Sequence, residues 1–180
     1  MRATEVRPTG VERTFGENEL IVSKTDPRGV ITYANDVFLR VSALPEQAAV
    51  GSPHNVIRHP DMPRAVFKLL WDTLKDGQEI FAYVLNLAAD GAHYWVFAHI
   101  TPSYDRSGRL LGFHSNRRLP RPAAVTAISA VYDRLLTEQR RHSHTPDAVT
   151  AGAAALNRML EEHGQTYDEL VWAITDGGGR

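Results

Sequence analysis

Residues 80–117 restrict the fold more than any other stretch of the chain. Residues 80–88 are apolar and aromatic, Asp90-Gly91 is a strong tight-turn signal, and residues 93–101 read as a strand that returns from it. Asp105 to Gly108 supplies the next turn, and residues 110–117 a third strand. Strands joined by turns this short must run antiparallel. A second hairpin precedes them. Residues 20–26 and 30–33 flank Pro27-Arg28-Gly29, where proline fixes φ and glycine accepts a positive one. Short helices fill the interval. Asn35 is placed to cap one that carries Val37, Phe38 and Val41, and Pro45 opens another that ends near Gly51. Pro63 opens a longer helix with Val66, Leu69, Leu70 and Leu74 at helical spacing and Gly77 at its end. Two strands, several short helices and three strands define an α+β fold with an antiparallel sheet.

The 180 residues suit one domain with a helical appendage. Residues 1–19 are polar without a clear period and read as an N-terminal cap or arm. Residues 20–120 form the domain, residues 121–176 a C-terminal helical extension, and residues 177–180, Gly-Gly-Gly-Arg, a disordered tail. Within the extension, residues 124–141 present Ile128, Val131, Tyr132, Leu135 and Leu136 on one helical face. A second helix starts at Thr145-Pro146-Asp147, and Thr166 with Glu169 forms a capping box for a third. Cysteine is absent, which excludes disulfides, thiolate zinc sites, thiol catalysis and photochemistry through a cysteinyl adduct. The net charge of −1 gives no basic excess for nucleic acid or an anionic membrane. No apolar run approaches the roughly 20 residues that span a bilayer. The expectation is a soluble cytoplasmic protein with no direct membrane span.

One segment, Pro53-His54-Asn55-Val56-Ile57-Arg58-His59-Pro60-Asp61-Met62-Pro63, is poor core and poor linker material. Its prolines fix its path, and its polar side chains either satisfy backbone groups in a structural loop or face a ligand. No catalytic constellation accompanies it. Ser115 lies beside His114, but strand neighbours face opposite ways. His93, His99 and His114 are ordinary strand histidines unless two share a face and hold a metal or haem. No metal site and no enzymatic activity are expected.

From about Leu20 to Arg118 the chain resembles PAS domains of the aerotaxis-receptor type. The residues that carry the resemblance include Thr25-Asp26-x-x-Gly29, Ala34-Asn35-Asp36-x-Phe38, the box from His54 to Pro63, Trp71-x-Thr73-Leu74, Val84-x-Asn86, Asp90-Gly91-x-His93-Tyr94-Trp95-Val96 and Gly112-x-x-Ser115-x-Arg117. The resemblance implies a five-stranded antiparallel sheet with short helices on one side, cupping a pocket that holds FAD without a covalent bond. Carried over position by position, Arg58, His59 and Asp61 match residues that hold flavin, and His54, Asn35, Trp71 and Asn86 match pocket or pocket-wall positions. The chemistry agrees. An isoalloxazine needs apolar walls with donors and acceptors along its pyrimidine edge. Asn86 offers both, Trp71 a stacking wall, and Arg58 a charge for a phosphate or a reduced ring. Asn35 is also a plain helix cap.

The chain departs from the family at Ile80, where tryptophan is usual, and at Leu85 and Leu87, which flank Asn86 in place of lysine and arginine. If Asn86 faces the pocket, alternation sends Phe81, Tyr83, Leu85 and Leu87 to the other face as an apolar stripe. Two covers are available to it, the chain's own C-terminal helices or the partner subunit of a PAS homodimer, which is expected to form through the sheet or the flanking helices. The function implied is a redox or oxygen sensor of the energy-taxis type. It signals in trans to a methyl-accepting-type receptor, a kinase or another signalling protein. The rival readings are a cofactor-free PAS interaction module and a haem-based gas sensor.

Overall fold

The computed structural model describes residues 6–177. Five strands, β1 (Ile21–Thr25), β2 (Ile31–Ala34), β3 (Ile80–Leu87), β4 (His93–Tyr104) and β5 (Leu110–Arg118), form one antiparallel sheet in the order β2-β1-β5-β4-β3. Between β2 and β3 come α1 (Asp36–Ser42), α2 (Glu46–Ala49), a 3-10 turn (His54–Ile57) and α3 (Arg64–Lys75). After β5 follow α4 (Pro122–Arg140), α5 (Thr145–Glu162) and α6 (Tyr167–Thr175). This is the expected α+β arrangement.

The pairing of Val84 with Val96, Asn86 with Tyr94 and Ile100 with Ser115 fixes the register. With side chains alternating along each strand, Val84, Asn86, Ala98, Ile100, Phe113, Ser115 and Arg117 share the face toward α3. Phe81, Tyr83, Leu85 and Leu87 take the opposite face, and the C-terminal helices cover Phe81 and Tyr83. The Tyr132 hydroxyl of α4 donates to the Tyr83 carbonyl at 2.6 Å. The Tyr83 hydroxyl meets Thr175 Oγ1 of α6 at 2.7 Å, and the Trp172 ring tilts over Phe81 at 4.9 Å. Of the two covers open to the apolar stripe, the structure shows the intramolecular one. Ile128, Leu135 and Val171 of α4 and α6 are fully buried. Each such side chain contributes roughly 1.5–3 kcal/mol, enough to hold helices that would be marginal alone. The capping box on α6 forms, with Thr166 and Glu169 each accepting from the other's backbone N–H.

Edge strand β3 is covered by the proline- and histidine-rich segment. Arg58 bridges Asn86 in antiparallel fashion, and the Leu85 N–H points at Met62 Sδ at 3.5 Å. The α4–α5 pair continues round this edge to the other side of the sheet. Gln139 of α4 accepts from the Arg64 N–H at the start of α3, and α5 packs on α3. Residues 9–13 lie beside the β3–β4 hairpin. Thr9 donates to Gly91 and Arg13 to His93 through their N–H groups, and Arg13 also pairs with Asp90.

Three details differ from the sequence expectation. The β4 strand runs to Tyr104 rather than 101, through Pro102. Its partner β3 begins opposite Ile100, so beyond that point β4 has a neighbour on one side only, where proline is tolerated. The segment expected as an open loop contains a 3-10 turn and pairs with β3. In the expected tail, Gly177 closes a turn on Ile174, whereas residues 178–180, like residues 1–5 of the expected arm, lie outside the described residues.

Gly112 sets the approach of β5 to β1. Its φ is +151°, and a Cβ there would overlap the Thr25 carbonyl oxygen of the neighbouring strand. Gly112→Ala should therefore lower stability by about 2–4 kcal/mol, read from the urea midpoint. An unchanged midpoint would show that the two strands are not in this close contact.

Candidate functional site

A cavity of about 390 Å³ lies between α3, the 3-10 turn and the inner face of the sheet. Its size is within the range of small-molecule sites, about 300–1,000 Å³. Leu70, Trp71 and Leu74 of α3 form the apolar roof, and Val84, Ala98 and Ile100 the floor. The Trp71 ring stands edge-on to Phe113 at 5.4 Å. Gly29, in the β1–β2 turn with φ +82°, allows that ring to sit close, since a Cβ there would lie 3.2 Å from it. Trp71 of α3 and Phe113 of β5 give the cavity its aromatic wall. Ile80 itself is core, paired with Ile100.

Four buried polar atoms of cavity-lining residues have no hydrogen-bond partner: Asn86 Nδ2, Ser115 Oγ, Arg117 Nη1 and Thr25 Oγ1. Leaving one such group unsatisfied costs about 1–3 kcal/mol, and the groups converge from three strands. Arg117 is buried, and its Nη2 donates to Ser23 Oγ at 2.7 Å and to His54 Nε2 at 2.6 Å. A guanidinium only donates, so His54 Nε2 is an acceptor and the imidazole is neutral. Burial, and then the Arg117 charge, push the His54 pKa down to about 3. At the rim the Arg58 guanidinium lies over the Phe67 ring at 4.3 Å. Burial and the nearby Arg64 lower its pKa.

Of the residues singled out in the sequence, the structure brings His54, Arg58, Trp71 and Asn86 to the cavity. The other three stand elsewhere. Asn35 caps α1 by accepting from Phe38 N–H, and its amide also joins β1 through Val22 and Leu20, so its hydrogen-bonding groups are engaged. His59 is buried beside the segment, where Nδ1 accepts from the Asp61 N–H and the ring meets His93 edge-on at 6.2 Å. Burial lowers its pKa, against the partial opposition of Asp61. Asp61 is exposed and pairs with Arg140 of α4 at 2.9 Å. His99 and His114 face away from the cavity, and no cluster of three potential metal ligands occurs among the described residues. The sequence reading passed over Ser23, Thr25, Ser115 and Arg117 as site residues. Their signal was the alternation Phe113, Ser115, Arg117, which puts a serine and an arginine on the same face as a core phenylalanine.

A sheet of this order with helices over one face and a cavity between them defines a PAS domain, and the PAS fold family model matches residues 31–116. More closely, the chain carries a PAS domain of the aerotaxis-receptor type. It is 39% identical to the aerotaxis receptor of Escherichia coli (strain K12) over 121 residues, 67% of this chain and 24% of that protein. It is also 32% identical to the nitrogen fixation regulatory protein of Klebsiella pneumoniae, over 88% of this chain and 31% of that one. The chain thus spans about a quarter to a third of these relatives. Among solved structures, a light-oxygen-voltage domain studied with a flavin analogue superposes with a TM-score of 0.54 at 21% identity, over 63% of this chain and 85% of that one. The Aureochrome1 LOV domain in its light state gives 0.54 at 18% identity, over 65% and 92%. These structural likenesses establish the fold.

The neutral His54 gives the domain an acid-sensitive point. Unfolded, the ring takes a proton near pH 6.5; folded, only near pH 3. The unfolded chain therefore binds more protons across that interval, and stability rises with pH there. Between pH 6.5 and 5 this group should cost the wild type up to about 2 kcal/mol. His54→Gln, whose amide oxygen can accept from Arg117, should flatten that part of the urea-stability profile. Parallel profiles for the two proteins would contradict the neutral imidazole.

Proposed function

We propose that this PAS domain binds FAD without a covalent bond and acts as a redox sensor that signals to a separate protein in the cytoplasm. The observation that carries the reading is the convergence of unsatisfied Asn86, Ser115, Arg117 and Thr25 in a cavity with apolar, aromatic walls. A flat ring with polar atoms along one edge would satisfy those groups, and the isoalloxazine of a flavin is such a ring. The relationship to the aerotaxis receptor and to a nitrogen fixation regulatory protein supports a signalling role over a catalytic one.

When bound, the flavin supplies reversible electron uptake at its ring. The protein's own residues do the rest. Asn86 and Ser115 orient the polar edge, Trp71 and Leu70 keep water from it, and Arg58 at the rim meets a phosphate. Asn86 also links outward, because its backbone pairs with Arg58. A hydrogen-bond change at the Asn86 amide thereby bears on the segment from Arg58 to Arg64. That segment touches α4 through the Asp61–Arg140 pair and the Arg64–Gln139 hydrogen bond. The output is the position of the C-terminal helices, read by a methyl-accepting-type receptor or another signalling protein. Tyr33 and Lys24, exposed on the uncovered part of the sheet, offer a surface to that partner or to a second copy.

Titration of the apoprotein with FAD, followed by quenching of flavin fluorescence, tests the reading. Saturation at one FAD per chain is expected. Asn86→Leu and Arg58→Ala should each weaken binding about tenfold or more, the loss of one strong hydrogen bond, while circular dichroism stays unchanged. A wild-type protein that takes up no flavin, even after refolding in its presence, would leave the cofactor-free interaction module as the better reading.

A further inference from the structure

The closed part of the cavity carries more than unsatisfied hydrogen bonds; it carries an unbalanced charge. Arg117 is 4% exposed, and no carboxylate pairs with it among the described residues. The polar groups it reaches, Ser23 Oγ and His54 Nε2, are neutral, and its guanidinium otherwise faces the Phe38 ring at 5.7 Å, which attracts a cation but carries no counter-charge. Its other terminal nitrogen, Nη1, has no partner. Burial lowers the Arg117 pKa to about 10, which still leaves the group charged at neutral pH. A buried cation without a counter-ion is among the costliest arrangements a core can hold. Its neighbours in the cavity add to the asymmetry. Asn86 Nδ2 can only donate, and Ser115 Oγ is free to do so. The Asp61 carboxylate, the acidic group of the segment beside the cavity, is turned outward to Arg140.

We propose that Arg117, Ser115 and Asn86 form an anion seat, so that the cavity selects aromatic ligands with a negative charge on the ring or on a group attached to it over uncharged aromatic ligands of similar size. Within the flavin reading, on which this rests, the favoured ligand is the ionised reduced ring, whose negative charge lies on the pyrimidine edge, rather than the neutral oxidised one. The seat then makes reduction and tight binding mutually reinforcing. A ligand that binds one form better shifts the balance between forms by that same ratio.

The test compares ligands with the same aromatic skeleton and different charge on the full chain. Oxidised FAD and dithionite-reduced FAD, titrated anaerobically at neutral pH, give one ratio of affinities. Anionic 1-anilinonaphthalene-8-sulfonate and neutral N-phenyl-1-naphthylamine, titrated by fluorescence into the apoprotein, give a second ratio that does not depend on flavin. The wild type should prefer the charged member of each pair by tenfold or more. Arg117→Met should abolish the preference, and Arg117→Lys should restore part of it. The same ratios in Arg117→Met as in the wild type overturn the seat and leave the flavin reading standing. Uptake of the sulfonate in an Arg117-dependent way, without uptake of FAD, supports the seat and removes flavin as its ligand. Should Arg117→Met fail to fold, the wild-type ratios decide, and equal affinities for charged and neutral members overturn the proposal.

Discussion

An edge strand that is buried on both faces must still have its open edge satisfied, because every second N–H and C=O along it faces outward. β3 is such a strand, and the rest of the structure follows from how its edge and faces are covered. Its inner face holds Asn86 and Val84 against the cavity. Its outer face holds Phe81 and Tyr83 against α6 and α4. Its edge receives Arg58 and Met62. One strand therefore touches the candidate ligand site, the segment that borders it and the helices that would report on it. The helices are held at both sides of that strand, by Tyr132 on Tyr83 and by Gln139 on Arg64. A displacement of β3 cannot leave them untouched.

The cavity face is built against stability. Replacing Asn86, Ser115 and Arg117 with apolar side chains of similar shape would remove unsatisfied donors and an unpaired charge from the interior. Such replacements are often neutral or stabilising where the polar groups serve only the fold. Around them the packing is otherwise that of an ordinary core, with Phe38, Val41, Ile57 and Val66 almost fully buried. His114, Gln139 and Tyr167 also keep an unpartnered buried atom, but four such atoms gather at this one cavity, the concentration expected where a ligand is to be held.

Much of this was legible in the sequence. The Asp90-Gly91 turn and the alternation through Asn86 set the register, and the register alone put Leu85 and Leu87 on the face away from the cavity. The three C-terminal helices were visible from their periodicity and caps, while their route round the β3 edge to α3 was not, since it depends on the buried Gln139 and on Gly152, where a Cβ would strike that side chain. Asp61 and His59 sit among cavity-lining residues in sequence but turn away in space, because the chain bridges β3 only at Arg58 and then turns, with the Met62 N–H donating to the His59 carbonyl. Arg117 was passed over because an arginine near a strand end reads as a solvent-exposed residue. Only the register, which sets it opposite Ile21 and Ala98, turns it inward.

The central claim is that Asn86, Ser115 and Arg117 are left unsatisfied for a flat ring with a polar edge. A crystal structure of the chain grown with FAD tests this most directly. The account predicts an isoalloxazine between Trp71 and the sheet, with its pyrimidine edge within hydrogen-bond distance of all three side chains. FAD bound elsewhere on the chain, or a cavity whose three polar groups close on one another in saturating FAD, would contradict it.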